Sequence, residues 1–229
     1  MSRTITALEP QKRDQERVNV YLDGEFVFGL PLIDATKLRV GQTLSDDEIA
    51  ALRDIDAVAR AVDRAVHLLA RRPYSTAELR RYLLSKEIAP PVVDETLDRL
   101  EHLGYVDDQA FTRFWIEDRM RFRPRGLRAL RYELRQKGIA PAIIEAALAE
   151  VDPGEAAHQA AQERITRLRG QSRRDVRTAL GAFLVRRGFS YDVARDAVER
   201  TLTELEEHEP EYFLNDQNTD NGLEDPYEE

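Results

Sequence analysis

The chain has 229 residues, enough for one large or two small domains whose core needs no covalent staples. It contains no cysteine, which excludes disulfides, thiolate zinc sites and a cysteine nucleophile. The net charge of −9 conceals an asymmetry, because residues 1–56 carry −4, residues 57–203 carry +6 and residues 204–229 carry −11.

Such a division points to nucleic-acid contact or an interaction tail. Thirty of the 34 basic residues are arginine, which fits either genomic bias or selection for the bidentate guanidinium fork. No uncharged run exceeds eight residues, far short of the roughly 20 apolar residues of a membrane helix. Met1-Ser2-Arg3-Thr4 leads into no apolar signal region, so a cytoplasmic protein without membrane contact is expected.

Residues 1–56 read as a small β-rich segment with one helix. Ile5 and Ala7 alternate with Thr4 and Thr6, and Val18, Val20 and Leu22 alternate with Asn19 and Tyr21. Asp23-Gly24 then precedes Phe26-Val27-Phe28, a hairpin signal because a type I′ turn needs positive φ at both central positions. About three strands are predicted. Ser45 and Glu48 form a capping box, so a helix is expected over 46–53.

From residue 57 the pattern turns helical and repeats. Leu79, Leu83, Lys86, Ile88, Val92 and Leu97 recur as Leu130, Leu134, Lys137, Ile139, Ile143 and Leu148. They recur again as Leu180, Leu184, Arg187, Phe189, Val193 and Val198. The two steps are 51 and 50 residues, and six positions in register define a true repeat. Gly138 and Gly188 share one slot, suited to a left-handed helix C-cap. Pro90 and Pro141 open the next helix, with Ser190 as the cap in the third copy.

Each copy reads as three helices. They are expected over 57–70, 76–86 and 91–102 in repeat 1 (57–107), and over 108–121, 127–137 and 142–150 in repeat 2 (108–152). In repeat 3 (153–205) they are expected over 154–168, 173–187 and 191–205. The fold class is therefore mainly α: three tandem three-helix repeats in an extended array behind a small amino-terminal sheet. Beyond about residue 206, Glu, Asp and Asn dominate, and a disordered acidic tail over 206–229 is expected.

Catalytic chemistry is sparse. His67, His102, His158 and His208 lie far apart without metal-ligand spacing, and no glycine pattern matches a phosphate-binding loop. Asp107-Asp108 follows Gly104-Tyr105 and reads as a helix N-cap rather than an acid pair. Neither enzyme activity, a cofactor nor a metal is expected.

The basic signal is stronger. Arg119, Arg121, Arg123, Arg125, Arg128, Arg131, Arg135 and Lys137 crowd one stretch that holds a single acid, Glu133. Leu127, Leu130 and Leu134 form an apolar stripe, and Arg128, Arg131 and Arg135 follow it about 100° round the same helix. Repeat 1 has Ala77, Arg80 and Leu84 at these positions and repeat 3 has Thr178, Gly181 and Val185, so the row is not a by-product of the repeat. It is either a solvated helix face or a face for phosphate or carboxylate groups.

A second cluster, Arg164, Arg167, Arg169, Arg173, Arg174 and Arg177, could extend the row into a stripe that tracks a nucleic-acid backbone or an acidic protein groove. Phe111, Phe114, Trp115 and Phe122 have the helical spacing of core residues, with base stacking as the alternative.

Ser75-x-x-Glu78-Leu79-x-x-x-Leu83-x-x-Lys86, then Leu100-x-x-x-Gly104-Tyr105-Val106-Asp107-Asp108-x-x-Phe111, resembles the signature of the RecX family of bacterial recombinase regulators. Arg125-Gly126, Leu130, Leu134 and Lys137-Gly138-Ile139 are similar to that family's second unit, and residues 17–26 resemble the hairpin ahead of the repeats in some members. Glu87 departs from the pattern where the family usually has glycine, so that helix is expected to end differently. Thr112 departs where a small apolar residue is customary.

The resemblance implies a monomer that lodges in the groove of the RecA–single-stranded-DNA filament and suppresses its ATP hydrolysis and strand exchange in recombination, DNA repair and the SOS response. Both arginine clusters would then carry contacts to RecA and the DNA backbone. The rival reading is a stand-alone helical DNA-binding protein that acts without RecA. Arg128, Arg131 and Arg135 lack the Asn/Gln interleaving expected of base readout, which counts against that rival. The acidic tail either keeps a basic protein soluble or competes for the basic row as an autoinhibitor.

Overall fold

Alternating apolar residues at the amino terminus build an antiparallel sheet of β1 (Ser2–Pro10), β2 (Arg17–Leu22), β3 (Glu25–Pro31) and β4 (Thr43–Ser45), in the order β3-β2-β1-β4. A computed structural model describes residues 2–12 and 14–213. The Asp23-Gly24 turn joins β2 to β3 with φ of 51° and 87°, as the hairpin signal requires. Ile5, Val18, Val20, Leu22, Phe28 and Leu30 turn inward onto one core with Leu44 and Ile49. The fourth strand is one more than the sequence suggests, since three residues are too few to display an alternation. A single turn, α1 (Leu32–Ala35), is likewise too short to predict.

The larger correction concerns the helices after β4. Two helices over 46–53 and 57–70 are expected, but the chain forms one helix, α2 (Asp46–Leu69), capped by the predicted Ser45/Glu48 box. Asp54-Ile55-Asp56, between the two expected helices, lies inside it. Asp56 is buried, and its carboxylate is held by Arg17 of β2 and by Arg60 one turn on, 2.7 Å away. A buried charge needs such partners, and with no proline or glycine between 46 and 69 nothing ends the helix. One helix thus serves both the sheet and the first repeat.

The remaining helices fall close to expectation. Repeat 1 continues with α3 (Thr76–Leu84) and α4 (Pro90–His102); repeat 2 comprises α5 (Asp108–Phe122), α6 (Leu127–Gln136) and α7 (Pro141–Leu148). Repeat 3 comprises α8 (Pro153–Ile165), α9 (Arg173–Arg186) and α10 (Tyr191–His208). The contacts divide the chain into two units, one up to Phe111 and one from Thr112 onward.

The repeated leucines are the cores. Leu79, Leu83, Leu130, Leu134, Leu180 and Leu184 are all fully buried. The repeated cation does a second job: Lys86 lies over the ring of Tyr82, Lys137 over Trp115 and Arg187 over Phe183. Each cation thereby meets the face of an aromatic ring, an electrostatically favourable contact.

The C-cap slot keeps its left-handed conformation in all three copies. Gly138 and Gly188 have φ of 81° and 91°, and Glu87 takes the same left-handed conformation at 61°. The helix nevertheless ends differently, as expected: α3 is capped at Ser85, one position earlier than the Lys137 and Arg187 caps of α6 and α9. The Ile139-to-Leu134 and Phe189-to-Leu184 amide–carbonyl bonds that close those helices have no counterpart at Ile88 among the described residues. Thr112 is fully buried. Asp107 caps α5, accepting the Gln109 and Ala110 amides at 2.7 and 3.0 Å. Asp108 reaches back to the Thr76 amide and hydroxyl at 2.9 and 3.2 Å, so it secures the start of α3.

Repeat 3 does not stop at residue 205 as predicted. Its last helix runs to His208, and a 3-10 turn at Pro210–Tyr212 then drives Tyr212 into the bundle, 4% exposed, with its phenol donating to the Ile165 carbonyl. Composition alone assigns residues 206–213 to a tail. They are ordered because arginines of the same repeat neutralise their acids, Arg173 at Glu206 and Arg169 at Glu209. The rest of the expected tail, 214–229, lies outside the described residues.

Candidate nucleic-acid interface

All fourteen candidate residues belong to the second unit. Helical periodicity sends Leu130 and Leu134 of α6 into the core and Arg128 and Arg135 to the surface. The charge row is therefore displayed as expected, but its members differ in what they touch.

Several arginines are committed to the fold. Arg119 donates to Asp118 and Glu133 at 2.7 and 2.9 Å and lies 4.0 Å from the centre of the Trp115 ring. Trp115 itself donates its indole N–H to Glu133 at 3.0 Å, and Lys137 covers its ring at 4.6 Å. The single acid of the row thus organises the α5–α6 contact, with Arg125 3.7 Å from its other oxygen. Arg131 makes a two-pronged pair with Glu145 of α7 at 2.7 and 2.8 Å. That pair holds the Glu145 carboxyl below the ordinary carboxylate range, chiefly through the Arg131 hydrogen bonds.

The second cluster is tied down more heavily. Arg169 pairs with Glu209 at 3.0 Å, Arg173 with Glu206 and Glu199, and Arg177 with Glu199 at 2.8 Å. These acids lie on α10 and just beyond it. Two of them, Glu206 and Glu209, are charges that sequence assigns to an acidic tail, and they neutralise charges it assigns to a basic stripe.

Six arginines remain. Arg121, Arg123, Arg128, Arg135, Arg167 and Arg174 are exposed and form no ion pair among the described residues. Arg164 instead lies 5.6 Å from the Phe183 ring, and the Nε atoms of Arg164 and Arg125 are buried without a hydrogen-bond partner among the described residues.

The meeting of repeats 2 and 3 brings in an arginine outside the candidate set. The Gly126 amide donates to the Arg187 carbonyl at 3.0 Å, and the Arg187 guanidinium donates to the Pro124 carbonyl at 3.1 Å. A Cβ on Gly126 would lie 2.2 Å from the Gly188 backbone, so only glycine permits this approach. Burial, then the charges of Arg125 and Arg123, push the Arg187 guanidinium below its ordinary value, while Glu163 opposes them. Arg187 is visible in the sequence only as a repeat position. Its nearness to Arg123 and Arg125, some 60 residues earlier, is a product of the seam.

Of the four aromatics predicted as core, only Phe111 is buried. Phe114 and Phe122 are 45% and 64% exposed, and Trp115 is half-buried. The spacing that suggested a core belongs to a helix whose inward face uses Phe111, Thr112 and Ile116 instead. Among the described residues no group of three or more His, Asp and Glu side chains is placed to hold a metal ion, and no helix is long and apolar enough to cross a membrane.

Sheet, repeats and arginine-rich second unit define a class, the tandem three-helix-repeat proteins with an amino-terminal antiparallel sheet. Comparison with known proteins refines that class. Four family models match successive stretches: the regulatory protein RecX N-terminal domain over 3–45, and the first, second and third RecX three-helix domains over 61–100, 107–148 and 150–198.

Regulatory protein RecX of Lactobacillus delbrueckii subsp. bulgaricus is 33% identical over 210 residues, which span 89% of this chain and 76% of that protein. The Bacillus pumilus protein of the same name is 29% identical over 92% of this chain and 82% of its own length. A crystal structure of regulatory protein RecX superposes with a TM-score of 0.73 at 26% identity, covering 86% of this chain and 99% of that one. A RecX structure from Lactobacillus salivarius, at 21% identity and a TM-score of 0.58, covers 64% of this chain and 97% of its own and shares the fold. The chain belongs to the RecX family of regulatory proteins.

Proposed function

We propose that this chain is an inhibitory regulator of the RecA recombinase, binding the RecA–single-stranded-DNA filament and suppressing its ATP hydrolysis and strand exchange. It acts in the cytoplasm as a monomer and catalyses no reaction of its own. The observation that supports this reading best is the set of six exposed arginines of the second unit that form no ion pair among the described residues, although Arg135 adds to the field that lowers Glu145. Guanidinium groups left without a carboxylate suit a phosphate backbone, whose binding releases condensed counterions. Within the fourteen candidates, Arg121, Arg123, Arg128, Arg135, Arg167 and Arg174 carry the electrostatic contact. Arg119, Arg125, Arg131, Arg169, Arg173 and Arg177 act first as internal ties.

The test is ATP hydrolysis by the cognate RecA on single-stranded DNA, titrated with this protein well below the RecA concentration. A fall at substoichiometric protein supports action on the filament. A fall only near or above the RecA concentration means competition for DNA, and no effect at any ratio sinks the reading. Removing residues 214–229, beyond the docked Tyr212, tests autoinhibition by the acidic end. Unchanged inhibition at several salt concentrations would discard it.

A further inference from the structure

We propose that Tyr132 is a stacking platform for a base of single-stranded nucleic acid, set between Arg128 and Arg135, which meet the flanking phosphates. This inference rests on the reading of the second unit as a DNA-backbone contact and adds base contact to it. At 100° per residue, Arg128 and Arg135 lie within about 60° of Tyr132 round α6, whereas Leu127, Leu130 and Leu134 lie about 140–160° away. The ring therefore stands opposite the core, and it is 65% exposed. Among the described residues no side chain makes a ring or cation contact with it.

Two comparisons within the molecule separate Tyr132 from ordinary surface aromatics. Trp115, on the neighbouring helix, has its ring covered by Arg119 and Lys137 and its indole N–H bound to Glu133, so it is built into the fold. Position 132 corresponds to Arg81 in repeat 1 and Ala182 in repeat 3, so the three-helix packing does not call for an aromatic there. Arg128 and Arg135 form no ion pair among the described residues and sit about 10 Å apart along the helix axis, on either side of the ring. A strand that meets both guanidinium groups passes over Tyr132. Every base has a π face, so the contact is tolerant of sequence.

The experiment measures fluorescence anisotropy of the full chain with a labelled oligothymidylate of about 20 nucleotides and with an abasic strand of equal phosphate number, a length that covers one such binding groove. Tyr132→Ala should weaken oligothymidylate binding roughly fivefold or more and leave the abasic strand unaffected, while Tyr132→Phe retains binding. The Arg128→Gln/Arg135→Gln variant should weaken both strands. Circular dichroism of the exposed-site variant Tyr132→Ala verifies that the fold is kept.

Equal effects of Tyr132→Ala on both strands, or none on either, would overturn the stacking role while leaving the backbone contact standing. Weaker inhibition of RecA at unchanged DNA affinity would overturn it too, making Tyr132 a protein contact. Failure of the unaltered chain to bind either strand would remove the DNA reading itself.

Discussion

Repeats 2 and 3 present almost the same signal in sequence, a run of arginines around the middle helix, and put it to different uses. In repeat 3, Arg169, Arg173 and Arg177 are paired with Glu199, Glu206 and Glu209, and the cluster fastens the end of α10 to the bundle. In repeat 2, Glu133 and Glu145 take up Arg119, Arg125 and Arg131, but Arg121, Arg123, Arg128 and Arg135 are left facing water. A local count of charges cannot separate these cases. What separates them is where the acids of distant helices fall.

The comparison can be broken most severely at the end of repeat 3. Tyr212→Ala should cost about 3–5 kcal/mol, because it removes a buried ring and orphans the Ile165 carbonyl. Thermal unfolding of the second unit should show it, and an unchanged midpoint would mean that the terminal turn is not docked. Gly126→Ala attacks the seam between the two repeats. With backbone 2.2 Å from the new methyl, the cost should reach the upper part of the roughly 1–3 kcal/mol expected of overpacking. A fall of about 5–10 °C in the midpoint would follow.

Charge reversal sharpens the contrast directly. Arg173→Glu/Arg177→Glu should lower the unfolding midpoint, since two sets of ion pairs become repulsions, each exposed pair being worth about 0.2–1 kcal/mol. Arg128→Glu/Arg135→Glu should leave stability within about 0.5 kcal/mol and weaken filament inhibition. In the neutral double variant Arg128→Gln/Arg135→Gln, the salt dependence of single-strand binding should fall by about 1.4 in logarithmic slope. The opposite outcome, with stability lost in repeat 2 and binding lost in repeat 3, would reverse the assignment.

Two smaller effects test the frame around these clusters. Glu87→Gly should stabilise the first unit by about 0.5–1 kcal/mol, because glycine accepts the left-handed conformation without a Cβ clash. Urea unfolding of the two proteins measures the difference. The Arg131–Glu145 pair should show in acid. Folding lowers the Glu145 carboxyl, so its contribution is present above the ordinary carboxylate range and is lost as pH falls through and below it. Arg131→Gln should flatten that part of the stability–pH curve and leave the neutral-pH region nearly as it was.

Much of this architecture is written in residue order. The 51- and 50-residue steps, the Ser45/Glu48 capping box and its like at Ser75/Glu78 ahead of α3, Asp23-Gly24 and the prolines at helix starts are local signals, and local hydrogen bonding or sterics suffices to act on them. Other features needed a third dimension. The unbroken α2 depends on Arg17 meeting Asp56 from another element, and the ordered 206–213 segment depends on arginines some 30 residues earlier.

The candidate site divides the same way. By itself the sequence determined three helical repeats, the leucines of their cores and a basic body over 57–203, since periodicity and composition are properties of neighbours along the chain. Only the tertiary structure decided which guanidinium groups are spent on carboxylates and which stay open, and that Arg187 joins Arg123 and Arg125 across a glycine seam. Ion pairing falls off within a few ångströms, and those distances are set by packing between helices rather than by position in the sequence.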